Sequence, residues 1–501
     1  MTSTVFRSTL RSSRSTPAPA LLSSLRLSVI AASLLLAGCS AIGPDYQRPA
    51  FDTPAKLTSG VTSTGKTSAT TDWLSWWKSF QDPVLNSMLD EATANNQDIL
   101  LAAGRVEEAR ATAASANSNR YPTVDANLSG TKSRTSVNSG KLVPGANPIG
   151  TDYQIGLSAS YEVDFWGKLS RADEAARARL LSQEANRGMV INTLYSNLAQ
   201  NYFALRAYDA QVELAESTLK TRQENLRLQQ KRFSSGSIGE LDLHQAESDT
   251  AATEISLLQA KQSLAVTESA IAVLLGRSPS AIANPVIARG SSIDSLYQQA
   301  TVPADLPSDL LNRRPDIIAA EQTLVAANAD IGQAKAQYFP SLKLTTGYGD
   351  ESRGFKDLFN PASLLWNIGA NIAQPIFRAG AIGALVFGAE ARKTQVLAQY
   401  VQSVQGAFRD VHDALVNTAA NEQIYAAGNR RVTALKDSLR LADLRYKNGY
   451  SSYLDVLSAQ RDLLQAQSTL IDTQRAHLAA VVSIYKAVGG GWDKSEKIAA
   501  K

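Results

Sequence analysis

The sequence predicts a mainly helical protein with a small β component suited to a membrane, written twice along one chain. Three observations carry this. Residues 98–122 open "DILLAAGRVEEARA" and end "NRYP", and residues 316–340 open "DIIAAEQTLVAANA" and end "QYFP", an offset of 218. Later, "RFSSGSIGELDL" at 232–243 matches "RYKNGYSSYLDV" at 445–456, an offset of 213. A repeat of this length is a structural unit. The other two observations are strict apolar/polar alternation at 153–165 and a three-four apolar spacing that starts at Ile191.

In order along the chain, Arg7, Arg11, Arg14 and Arg26 precede the apolar stretch "LSVIAASLLLAG", with no acidic residue before Cys39. This is the pattern of a secretory signal, too short to span a bilayer as a mature helix. It ends in "LAGC", which resembles the bacterial lipobox and implies a covalent lipid on Cys39; the alternative is an ordinary signal peptide followed by an incidental thiol. Ser40, not an aspartate, follows, which is compatible with the outer membrane. Cys39 is the only cysteine, so no internal disulfide forms. The signal carries four of the 50 basic residues and none of the 46 acidic ones, which leaves the remainder neutral and without a basic field for nucleic acid.

Each half then repeats one order. A helix of about two dozen residues runs to Pro122 or Pro340, and an alternating segment follows at 123–131 or 341–349. A loop rich in Gly, Ser, Asn and Lys leads to a second alternating segment, at 153–165 or 366–377. In "YQIGLSASYEVDF" the residues Tyr153, Ile155, Leu157, Ala159, Tyr161, Val163 and Phe165 share one face; Gln154, Ser158, Ser160, Glu162 and Asp164 share the other. Trp366, Ile368, Ala370, Ile372 and Ile376 make the matching apolar face, interrupted by Gln374 and Pro375. Strands of nine to thirteen residues suit a tilted bilayer crossing. A half-buried sheet packed on helices in a soluble domain explains the alternation equally well.

After each strand pair the chain turns helical. From Ile191 to Phe233, thirteen positions step by three and four alternately; ten are apolar, and Asn201, Arg222 and Gln229 are the exceptions. Val401, Val404, Phe408, Val411 and Leu415 repeat the spacing, the mark of a coiled-coil seam. A helix over 168–235 would be on the order of 100 Å long at ~1.5 Å per residue. Turns at Gly236 and Gly449 start returning helices, about 240–276 and 452–488. Four strands cannot close a barrel, and lipid does not tolerate an open edge, so membrane strands would have to be pooled between chains.

"LLNRRPDIIAAEQ" at 310–322, "YLDVLSAQRDLLQAQ" at 453–467, "YEVDFWGKL" at 161–169 and "QPIFRAG" at 374–380 resemble the TolC-type outer-membrane factors, most closely the lipoprotein branch serving resistance–nodulation–division efflux pumps. The likeness runs from "WLSWWKSFQDPVL" at 73–85 to about Gly491. It implies a homotrimer with four strands per protomer in a 12-stranded outer-membrane barrel, and an α-barrel of long antiparallel coiled-coil helices reaching into the periplasm. The implied activity is an exit duct for small molecules, opened by a periplasmic adaptor protein and an inner-membrane efflux pump. The outer-membrane part of a type I secretion system and a lipid-anchored coiled-coil scaffold are the alternatives. The organisation expected is a signal at 1–38, a lipidated N-terminal and equatorial segment at 39–82, a repeat at 83–281, an equatorial linker at 282–308, a second repeat at 309–491 and a tail at 492–501.

The resemblance makes the helix turns the periplasmic tip, with Gly236, Ser237, Ile238, Gly449, Tyr450 and Ser451 as adaptor-docking candidates. It also implies a closure near that end, for which Asp437, Arg440, Leu441 and Asp443 are the gate candidates. The bland reading of those charges is a solvated helix face. In "RRPDI", Pro315 suits a first helical turn and Asp316 the positive end of the helix, a structural role. His244, His412 and His477 are far apart, and there is no zinc spacing, phosphate loop or G-x-S-x-G, so neither catalysis, a metal nor any cofactor besides the lipid is expected.

Overall fold

The computed structural model describes residues 41–54, 56–57, 67–68, 72–140, 142–143, 145–303 and 306–492. The signal at 1–38, Cys39, parts of the segment at 39–82 and nearly all of the tail at 492–501 lie outside the described residues. The chain divides into two compact units, each drawing on both halves of the sequence. The first comprises 41–45, 116–174 and 329–389 of the described residues; the second comprises 46–115, 175–328 and 390–492.

Most of the described chain is helical, with one four-stranded sheet and two short two-stranded pairings. Helix α1 spans Pro83–Asn95 and α2 Gln97–Ser118; strands β1, Thr123–Arg134, and β2, Ile149–Val163, follow. Next come α3, Lys168–Ser234, α4, Glu240–Leu274, the short α5, Pro279–Ala283, and α6, Ile293–Gln299. The second half holds α7, Pro315–Ala336, β3, Ser341–Ser352, β4, Leu364–Ala373, α8, Ala381–Lys447, and α9, Tyr453–Ala487. Corresponding helices match in length: 22 residues in α2 and α7, 67 in α3 and α8, 35 in α4 and α9.

In the first unit the strands form an antiparallel sheet in the order β1-β2-β3-β4. The strand bounds correct the expected ones. The first strand extends past 131 to Arg134, and β3 past 349 to Ser352, because both stay paired with β2 that far. The second runs from Ile149 to Val163 rather than 153–165. Asp164 and Phe165 are outside it, since the Asp164 carboxylate accepts the free amides of Leu169 at 3.1 Å and Ser170 at 2.7 Å at the start of α3. The fourth is Leu364–Ala373 rather than 366–377: Pro375 has no amide to donate, and Ile376 lies beyond the ladder. The helices expected to reach Pro122 and Pro340 stop at Ser118 and Ala336, giving way to tight turns because the residue before a proline avoids helical geometry.

The second unit holds the main core. Trp76, Phe80, Leu85, Leu89, Leu198, Tyr202, Phe203, Leu205, Ile271, Leu275 and Tyr485 are almost fully buried, with Trp76 stacked on Tyr485 at 5.2 Å between ring centroids. Asp82 ties it together: its carboxylate caps α1 at Val84 and Leu85 and accepts from the Tyr202 hydroxyl at 2.6 Å and the Ser291 amide at 2.9 Å. Two-residue pairings join Lys56–Leu57 to Leu306–Pro307 and Thr67–Ser68 to Val302–Pro303.

Candidate conduit wall and gate

The sheet register sorts side chains into rows. Leu157 lies opposite Ala126 and Tyr348, and Tyr348 opposite Trp366; Ala159 lies opposite Val124 and Thr346, and Thr346 opposite Ile368. One residue along, Ser158 pairs with Asp125 and Gly347, and Gly347 with Asn367. Glu162 meets Lys343, and Lys343 meets Asn371. Alternation in four separate stretches thus becomes one apolar and one polar face. The apolar face is uncovered in the single chain: Leu128, Trp366, Ile368 and Ile372 are each 68–79% exposed. That amount of exposed apolar surface needs lipid or a partner. Asp125, Asn127, Gln154, Ser158, Ser160 and Asn367 border a hollow of about 430 Å³.

At the far ends of α3 and α8 the expected turns are present. Gly236 and Gly449 adopt φ of 71° and 77°, a region costly for residues with a Cβ. The Gly236 and Ser237 amides donate to Phe233 and Arg232 carbonyls; the Gly449 and Tyr450 amides donate to Tyr446 and Arg445. These are paired helix-closing motifs. The second return is further secured by Ser452 and Asp455 in a reciprocal capping box, whereas α4 starts at Gly239 with no side-chain cap. Tyr450 is 76% exposed, and nothing lies near a Cβ built at either glycine, so both tips are open surfaces.

The gate candidates lie on the last turns of α8. Arg440 reaches Asp437 at 3.7 Å, while Asp443 turns to Lys447 at 2.6 Å rather than to Arg440. All these groups are substantially exposed, as is Leu441. The charges thus form two separate surface pairs near the end of α8. Nearby, sequence reasoning missed Tyr446. Its hydroxyl accepts from Arg232 at 2.9 Å, its ring lies 5.6 Å from the Arg232 guanidinium carbon, and it contacts the Tyr453 ring at 5.4 Å. The available signal was the change from Phe233 in the first repeat to Tyr446 in the second.

Two of the polar exceptions in the coiled-coil seam are buried. Arg222, 3% exposed, pairs with Asp249 at 2.6 Å and donates to the Gln460 side chain; Gln229 donates to Tyr446. Burial works against charge on both ions, pulling Arg222 down and pushing Asp249 up, and their mutual contact opposes it. In "RRPDI", buried Arg314 donates to the Ala487 carbonyl at 2.7 Å, to Asp316 at 2.7 Å and to Asp410 at 3.2 Å, clamping α7, α8 and the end of α9. His244 pairs with Glu240 and Glu247, and His412 contacts Asp413. His477 is buried against Tyr297, and among the described residues no cluster of three metal-type ligands occurs.

A family model described as outer membrane efflux protein matches residues 88–277 and 306–490. The chain is 36% identical over 462 residues to the cation efflux system protein CusC of Escherichia coli, covering 92% of this chain and 98% of that one. It is 37% identical over 475 residues to the toluene efflux pump outer membrane protein TtgI of Pseudomonas putida, covering 93% and 98%. It is 33% identical over 468 residues to the probable outer membrane lipoprotein SilC of Salmonella typhimurium, covering 93% and 99%. Among solved structures, the Campylobacter jejuni CmeC outer membrane channel superposes with a TM-score of 0.85 at 27% identity, covering 91% of this chain and 96% of that one. CusC does so with a TM-score of 0.79 at 34% identity, covering 90% and 100%.

Proposed function

The chain belongs to the outer membrane efflux protein family, an exit duct of the outer membrane, and from that premise we propose how its parts make the duct. Three chains pool their strands into a 12-stranded barrel, and their long helices form the wall of a periplasmic tunnel. The observation that carries this is the sheet itself: four strands, two open edges and an uncovered apolar face. Strands β1 and β4 run antiparallel to each other, so β4 of one chain can pair with β1 of the next in the same sense around a threefold axis. Closure removes every edge that lipid would punish, leaves the apolar rows facing acyl chains and turns the polar rows to a wet lumen.

The wall supplies width and charge rather than a reaction, so the chain is a passive conduit and not an enzyme. The relatives' names span cations and toluene, which fits a duct whose cargo is chosen by the inner-membrane pump. A periplasmic adaptor docks at the tips around Gly236 and Gly449, and Cys39 carries a lipid. In planar bilayers the purified chain should conduct ions as a species with three times the chain mass. Proline at Ala126 or Leu128, on the edge strand, should abolish both trimer and conductance. Conductance by a monomer, or release of the wild-type chain from membranes by alkaline carbonate, overturns this reading.

A further inference from the structure

The loop end of the sheet, away from the long helices, carries side chains that the conduit wall does not use. Along the apolar face of β1, Leu128 lies opposite Ile155, Gly130 opposite Tyr153, Lys132 opposite Thr151 and Arg134 opposite Ile149. The pleat keeps all of them on one side of the sheet. Between Leu128 and Arg134 that side therefore changes from aliphatic to aromatic to cationic. The aromatic step is built into the fold. The Tyr153 ring lies over Gly130, where a Cβ would come within 3.2 Å of its Cδ1. Phe355 meets the same ring edge-on at 5.6 Å between centroids and is still 64% exposed. Its turn is anchored by buried Leu358 and closed by Ser363, whose hydroxyl donates to the Asp357 carbonyl at 2.7 Å.

The charges at this end are sorted by face. Asp152, opposite Thr131, and Glu351, opposite Gln154, lie on the polar side. Lys132 and Arg134 lie on the other side, exposed, and neither has an ion-pair partner among the described residues. The one acid in the apolar rows of the four strands, Asp350, sits on β3 at the level of Leu128, two strands from β1 and too far away to pair with Lys132. Two cations about 7 Å apart on one strand repel each other, and an anion between them removes that cost. The second repeat has no such pair: at the offset of 218, Gly130, Lys132 and Arg134 become Tyr348, Asp350 and Ser352.

We propose that Lys132, Arg134, Tyr153 and Phe355 form a docking site for the phosphorylated headgroup of a lipid in the leaflet at the loop end. The site rests on the apolar rows facing lipid, as proposed above. Acyl chains lie along the rows of Leu128 and Leu157, the two rings occupy the level between hydrocarbon and water, and the two cations hold the phosphate. The order of side chains along the face is the order of chemistry along such a lipid. Each chain carries the site once, in its first repeat.

Native mass spectrometry of the detergent-solubilised full chain tests this. Lipid A, which carries two phosphates, is the probe, and zwitterionic phosphatidylcholine is the comparison. The wild type should bind lipid A with a Kd about twentyfold lower than phosphatidylcholine. Lys132→Gln and Arg134→Gln should each weaken lipid A about fivefold, and together about twentyfold, with phosphatidylcholine unchanged. Lys343→Gln, on the polar face, should change neither. Equal binding of the two lipids, wild-type retention of lipid A by the double variant, or an equal loss in Lys343→Gln overturns the site. If the double variant fails to fold, the single changes decide. Displacement of lipid A by an equal concentration of inorganic phosphate would assign the cations to the free anion and overturn the lipid. The lipid-facing assignment fails separately, if alkaline carbonate releases the wild-type chain from membranes, whatever lipid A does.

Discussion

Arg222 interrupts an otherwise apolar seam, and its position is explained only by what it meets. Asp249, on the returning helix, supplies the charge, and Gln460 on α9 a second acceptor. Asp249→Ala should cost about 3–5 kcal/mol, because it strands a buried cation; replacing Arg222 and Asp249 together by leucine should cost far less. Thermal unfolding of the two variants separates these outcomes. His477 makes a pH-dependent counterpart. Burial holds its imidazole below the ordinary value of 6.5, opposed by Glu422 of α8 and the Thr418 carbonyl, with the Tyr297 ring of α6 packed against it. As the folded pKa is depressed, the unfolded chain takes up the proton first. The stability from the neutral ring is complete above about pH 6.5 and is lost on acidification below it. The fall in Tm between about pH 7 and pH 5 should be smaller in His477→Phe than in the wild type; parallel curves would show that this ring does not titrate within the fold.

At the scale of elements, the sheet makes a sharp claim about neighbours. Leu157 stands in a row with Tyr348 and Trp366, and Ser158, one residue on, in a row with Asp125 and Asn367. Lysine at 157 should cost about 2–4 kcal/mol if it lies near the bilayer midplane, as should lysine at Ile368. Lysine at Ser158 should be tolerated apart from the bond that Asn127 donates to the serine hydroxyl at 2.9 Å. Folding titrations in lipid vesicles compare them, and equal penalties at 157 and 158 would refute the assignment of faces. The alternation that set these faces was legible in the chain because its period matches the pleat. The strand ends were not: Asp164 continues the alternating pattern, but its carboxylate is taken by the start of α3.

For the whole molecule, the proposed closure depends on symmetry more than on any one contact. The pairs Asp437–Arg440 and Asp443–Lys447 are exposed, and such pairs contribute about 0–1 kcal/mol each, less in high salt. In the proposed trimer a threefold axis would repeat each contact, so a closed end held this way would be weakly favoured and would yield to a partner that prefers splayed helices. Arg440→Ala should raise conductance in planar bilayers without changing trimer yield. If it and the double change Asp437→Ala/Asp443→Ala both conduct as wild type, these residues are a solvated face and the constriction lies elsewhere. The long helices and the glycine turns that end them were readable from one chain, but the partners of Asp443 and the use of Tyr446 were not, because helical spacing allows several pairings.

The sequence by itself determined the order and kind of the elements: helices of matched length, strands with one apolar face, and glycine turns where each long helix reverses. These follow from local periodicity and backbone preference, which act within a few residues. Tertiary structure alone decided which polar residues are buried. Arg171, Arg222 and Arg314 look alike in the chain, yet each is held by partners more than 25 residues away: Asp45, Asp249 and Asp410 respectively. The energy of a buried charge depends on its surroundings, and those surroundings exist only once distant segments have met.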